Sequence, residues 1–183
     1  MDQDRQLQRG RLIEVSLGLL AAGQRVTALT PEALAQAAGL TPAQVRACYE
    51  EHDELLVALL QRMLDAARDA STRATEVMPS GVAKVKRGIT AYLDHNLAHP
   101  ALRELLLTLQ THPKGLRLNR IHAAGWIMVC ELEFAAQGVA HPPATAHLAI
   151  VMTVETALAE FEARRALPEF RETLCAYLDG LQP

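Results

Sequence analysis

Apolar positions recur at three- and four-residue spacing along most of this chain, and Gly and Pro interrupt the recurrence at intervals. That segmentation predicts nine helices. The first runs from about Arg9 to Ala22 on a stripe of Leu12, Ile13, Val15, Leu17, Leu19 and Leu20, with residues 1–8 a frayed polar arm. Thr30-Pro31 and Thr41-Pro42 each open a short helix, because a threonine hydroxyl caps free N–H groups and proline suits the first helical position. From Asp53 to about Val77 the pattern is one long helix, with acidic residues in its first turn, where the helix dipole favours them. Five more segments, at about 81–99, 101–111, 114–137, 144–165 and 168–181, are delimited by Pro100, Pro113, Gly138, Pro142-Pro143 and Pro168. No strand-like alternation or internal repeat competes with an all-α reading.

The stretch Leu34–Tyr49 is the most specific local signal. Gly39 stands where the first short helix must stop, a place for left-handed backbone that only Gly adopts without steric cost. Thr41 and Gln44 have the Thr-x-x-Gln spacing of a capping box, and Leu34, Leu40 and Val45 can close a small apolar core. The two helices read as a helix-turn-helix. Together with Arg11–Gly23, Thr30–Thr41 and the run Tyr49-Glu-Glu-His-Asp-Glu-Leu-Leu56, the stretch resembles the DNA-binding domain of the tetracycline-repressor (TetR) family over roughly residues 9–60.

The resemblance implies a helix-turn-helix DNA-binding domain at 1–52, joined by a long helix to a helical ligand-binding and dimerisation domain at 53–183. It implies a homodimer acting on a double-stranded, pseudo-palindromic DNA operator, with a small apolar molecule as effector. The last two helices are the expected four-helix dimer interface. Recognition would fall to Thr41, Pro42, Ala43, Gln44, Arg46 and Ala47, of which Gln44 and Arg46 can read base edges. Arg5, Arg9, Arg11 and Thr30 would hold phosphates, with His52 opening the fourth helix. The chain departs from the family pattern where Pro42, Ala43, Cys48 and His52 replace the customary basic, glycine, aromatic and lysine residues.

Charge changes this picture. Over residues 1–54, eight acidic side chains stand against the five basic ones, Arg5, Arg9, Arg11, Arg25 and Arg46, and Glu50, Glu51, Asp53 and Glu54 crowd the end of the motif. Phosphate neutralisation supplies most non-specific DNA affinity, so weak binding is expected unless the arginines converge. A second reading therefore keeps the fold and drops the DNA, leaving a small-molecule or partner-binding module.

Half the residues are hydrophobic and 4% aromatic, a balance that suits helices. Three well-separated cysteines, Cys48, Cys130 and Cys175, suggest a reduced, cytoplasmic protein, and no apolar run is expected to reach membrane-spanning length. Polar or distinctive side chains on the later helices are candidates for lining a ligand pocket: Tyr92, His95, Asn96, His122, Trp126, Cys130, Met152 and Glu155. His95 and His99 share a helical face at metal-binding spacing but lack a third ligand in sequence. No catalytic motif, metal site or cofactor is expected, which sets aside a third reading, a helical-bundle enzyme.

Overall fold

The computed structural model of the chain describes residues 2–181. Among them the secondary structure is helical throughout: α1 Asp2–Ala21, α2 Pro31–Ala38, α3 Pro42–Cys48, α4 His52–Thr75, α5 Val82–Ala98, α6 Pro100–Thr108, α7 Pro113–Ala136, α8 Pro142–Ala163 and α9 Pro168–Asp179, with a short 3-10 turn at Val26–Ala28. Met1 and residues 182–183 of the expected outer segments lie outside the described residues.

The largest departure from the sequence pattern is α1, which begins at Asp2 and takes in the supposed frayed arm. Partners far along the chain hold it. The Gln8 side-chain oxygen Oε1 accepts a hydrogen bond from the Cys48 thiol at 3.5 Å, and the Arg9 guanidinium lies 4.5 Å from the centre of the Tyr49 ring. A cation over an aromatic face contributes about 0.5–1 kcal/mol at exposed sites.

Contacts divide the chain into two compact units. One comprises residues up to Met63 with Glu104–Leu118, the other Leu64–Arg103 with residues from Asn119 onward. In the first, α1, α2 and α3 pack on one another around Leu12, Leu29, Leu34, Val45, Leu55 and Leu59. The turn between α2 and α3 has the anticipated chemistry. Gly39 is left-handed at φ 64°, Thr30 accepts from Ala33 N at 3.2 Å, and the Thr41–Gln44 box closes in both directions.

In the second unit, α5, α8 and α9 pack together around Ile89, Leu93, Phe134, Ala149, Leu174 and Leu178. The N-terminus of α5 is finished by α7: Glu133 accepts from Gly81 N at 2.9 Å, and Gln137 from Val82 N at 2.6 Å. At the other end of α8 the Glu160 carboxylate, 2% exposed, accepts from Leu167 N, Arg171 Nε and Arg171 Nη2. Arg171 also reaches Asp94, so one ion cluster ties α5, α8 and α9 together.

α8 buries Ala146, Ala149, Ile150, Thr153 and Ala157, yet leaves Leu148 and Val151 about half exposed, so this chain covers only one side of it. Against expectation, α8 is long and apolar enough by length and composition to cross a membrane. Its buried Glu160 and its packing on α5 and α9 are those of a core helix.

Candidate DNA-reading surface and ligand cleft

Capping at Thr41 fixes how α3 is presented. Val45 and Cys48 turn inward, Pro42 is half-buried, and Thr41, Ala43, Gln44, Arg46 and Ala47 are exposed, with His52 exposed at the start of α4. The two base-reading candidates are both engaged. Gln44 Oε1 accepts from Thr41 N at 2.8 Å and from the Thr41 hydroxyl at 3.1 Å, so a bidentate pairing with adenine requires that box to open. Arg46 Nη2 sits 2.6 Å from Glu32 Oε1 on α2.

Other cations of this unit are paired as well. Arg5 is 3.9 Å from Glu50, Arg25 is 3.2 Å from Glu104, Arg62 is 3.3 Å from Glu14, and Lys114 is 3.1 Å from Glu54, holding the Glu54 carboxyl below its ordinary range. Arg9 lies over Tyr49, whose phenol is pushed up by burial. Arg11 is exposed, with one guanidinium nitrogen 3.8 Å from where a Cβ on Gly39 would stand. Thr30 uses its oxygen on the Ala33 N–H and keeps its own hydrogen to donate. Glu14, Glu32 and Glu50 thus stand as partners for arginines.

The second unit contains a cleft of about 420 Å³ between α4, α5 and α7. Its apolar wall is Val85, Ile89, Ile121, Trp126, Met128 and Val129, and its polar wall includes Arg68, Ser71, Thr72 and Thr75 on α4. A smaller recess of about 50 Å³ shares Ile89, His122 and Trp126 with the cleft, and adds Tyr92, Thr153 and Val154. Lys84 and Glu133, 2.8 Å apart, close one end of the cleft, and Glu133 is held below the usual carboxylate range by Lys84 and the Gly81 N–H in spite of its burial.

Of the expected pocket residues, Tyr92, His122, Trp126 and Cys130 line these cavities. Tyr92 and Trp126 meet edge to face at 5.9 Å. Burial lowers the His122 pKa, and it pushes the Cys130 thiol up to about 12. His95, Asn96, Met152 and Glu155 are not among the lining residues. Burial brings the His95 pKa down to about 4, and its ring stacks on His99 at 4.1 Å. Asn96 donates to the Tyr92 carbonyl, Met152 packs on the core, and Glu155 is exposed. The α4 wall was missed, although Arg68, Ser71, Thr72 and Thr75 recur at helical spacing and form a hydroxyl-bearing stripe on one face.

A capped helix-turn-helix thus precedes a helical unit that contains a cleft. No family model and no curated protein matches the chain. Solved structures do. A TetR-family transcriptional regulator from Streptomyces coelicolor superposes with a TM-score of 0.69 at 23% identity, over 93% of this chain and 78% of that one. A TetR-family regulator from Rhodococcus sp. gives 0.73 at 15% identity, over 94% and 97%. The multidrug binding protein EbrR, complexed with imidazole, gives 0.75 at 15% identity, over 96% and 95%. The chain has the fold of the TetR-family transcriptional regulators.

Proposed function

We propose that the chain is itself a TetR-family regulator: a cytoplasmic homodimer, acting as a repressor, that binds a pseudo-palindromic operator through α3 and releases it when a small apolar ligand enters the cleft. The observation that carries this reading is the capped, outward-facing α3, whose solvent face is Ala43, Gln44, Arg46 and Ala47 and whose inner face is locked by Val45 and Cys48. Ligand acts to the extent that it binds the DNA-releasing state more tightly than the DNA-binding one. Selection of bound duplexes from a random pool at low salt tests the reading. A recovered motif with two related half-sites is the expected result, and no enrichment over the input pool refutes it.

The ion pairing of Arg46 with Glu32 and the closed Gln44 box favour a second reading, in which the same fold senses a ligand or partner without touching DNA. Ligand binding with no selected DNA motif is the outcome that distinguishes it.

Dimerisation is supported by the uncovered side of α8, where Leu148, Val151 and Val154 follow one another at helical spacing, and by exposed Phe170 on α9. Val151→Glu places a charge at the middle of that stripe. We expect light scattering to report a dimer for the parent chain and a 20.0 kDa monomer for the variant, with helical content retained. A parent monomer at micromolar concentration would sink the dimer.

A further inference from the structure

Gly125 stands near the middle of α7, and a Cβ placed on it would meet no atom within 4 Å. Its helical neighbours three and four residues away, Ile121, His122, Met128 and Val129, all line the cleft, as Gly125 itself does. Residues at that spacing share one face of a helix, so Gly125 is the bare centre of the face that α7 turns to the cavity. Glycine in a helix interior costs stability relative to alanine, because it gives up more backbone freedom on folding and packs nothing. Gly88, the other glycine of the cleft, is enclosed by the fold: a Cβ there would stand 3.6 Å from Thr75 Cγ2, and its carbonyl accepts from the Ser71 hydroxyl at 3.0 Å. Around Gly125 the fold places nothing. Gly10 and Gly18 of α1 are equally uncrowded, but they line neither cavity.

The volume a side chain at position 125 would fill is therefore part of the cleft. Trp126, the next residue, lines both the cleft and the recess, so a flat indole stands beside a strip of bare backbone, with Val85, Ile89 and Val129 completing the apolar surroundings. An extended hydrocarbon chain is one methylene wide and gains little from a side chain missing at mid-cleft. A broader body does gain, and a flat one presents the most surface to a flat wall. The charged lining residues are already matched: Arg68 is 3.0 Å from Asp65, and Lys84 is 2.8 Å from Glu133. Burial lowers the His122 pKa and so keeps that ring neutral at pH 7.5. The lining asks no charge of its occupant.

We propose that Gly125 sets the width of the cleft, and that the molecule it admits is a neutral, flat body of fused rings lying across Gly125 beside Trp126. This rests on the reading of the cleft as a ligand site and names the shape and charge of what enters it. At about 420 Å³ the cleft is in the size range of small-molecule pockets.

The test titrates the full-length protein and two variants, Gly125→Ala and Gly125→Leu, with 2-naphthol and with octan-1-ol, which carries the same polar group on a narrow chain. Calorimetry reads the affinities, and melting without ligand reads stability. Gly125→Ala should melt about 1–4 °C above the parent, because the helix gains and nothing is crowded. Gly125→Leu should weaken 2-naphthol by about tenfold or more while octan-1-ol stays within about threefold. Should Gly125→Leu fail to fold, Gly125→Ala carries the same test, with 2-naphthol weakened by about threefold and octan-1-ol unchanged. The assignment of Gly125 is overturned, and the cleft left standing, by a Leu variant that keeps the parent's affinity for 2-naphthol or loses both probes alike, by an Ala variant that melts below the parent, or by a parent that takes octan-1-ol and refuses 2-naphthol. Silence from both probes on the parent protein overturns the cleft as an apolar ligand site along with it.

Discussion

Glu160→Ala should reduce the free energy of unfolding by about 3–5 kcal/mol, the loss expected when one member of a buried ion pair is removed and the other is stranded. The Glu160 carboxylate is 2% exposed and accepts three hydrogen bonds, from Leu167 N at 3.0 Å, Arg171 Nε at 2.6 Å and Arg171 Nη2 at 2.9 Å. Its hydrogen bonds, ahead of those from Asp94, hold the Arg171 guanidinium above its usual range. Alanine leaves the Leu167 N–H at the start of α9 unsatisfied as well, and an orphaned buried donor adds about 1–3 kcal/mol to the loss of the ion pair. The side chain of Arg171 retains 21% exposure and its bond to Asp94, which limits the penalty on that side. Domains of this kind are stable by about 5–15 kcal/mol, so the substitution removes a large share of the total. Urea unfolding followed by circular dichroism measures it. The double variant Glu160→Leu, Arg171→Met should recover the part of the loss that comes from the stranded charge, while the Leu167 N–H stays unsatisfied. A single-variant loss below about 1 kcal/mol would show that the cluster is ornamental.

On the proposed function, Arg46→Ala should weaken operator binding by about 1–3 kcal/mol and relax the preference at one base pair in each half-site. The ion pair with Glu32 does not stand in the way. Both side chains are more than half exposed, at 58% and 61%, and pairs of that kind contribute less than about 1 kcal/mol. A bidentate contact with guanine outweighs it, so the guanidinium transfers from carboxylate to base with a net gain. Glu32→Gln is therefore expected to raise affinity for all sequences while selectivity at the Arg46 position falls, since Glu32 both restrains and aims the side chain. Quantitative gel shifts on the selected motif and its single-base variants separate these effects. Identical base preferences in the parent protein and in Arg46→Ala would remove Arg46 from the reading surface.

What could be read in advance was local. Gly39, Thr41 and Gln44 act within five positions of one another, and a cap depends on little beyond its own turn, so both helix starts were predictable to the residue. The start of α1 was not, because it depends on Gln8 meeting Cys48 and Arg9 meeting Tyr49, 40 residues away. Helix rotation set the limit for the cleft. Polar residues on apolar helices were sensible candidates, but which of them turn inward depends on tertiary packing: Trp126 and Tyr92 do, whereas Glu155, beside the half-buried Met152, faces solvent. Arg103 carried no signal at all, since a lone arginine in a helix is by default a surface residue. Its burial emerges only once α6 is seen against α8.

The pairing of the arginines in the first unit bears on how such a regulator would search a chromosome. A genome offers about 10⁶–10⁹ competing sites, and a strongly cationic reading head spends most of its time on them. Here a phosphate contact by Arg5, Arg25, Arg46 or Arg62 gives up a glutamate pair worth less than about 1 kcal/mol, which trims the gain on arbitrary sequence without cancelling it. On the proposed function, bulk DNA would then be a shallower reservoir, and a larger share of the copies would diffuse free between encounters.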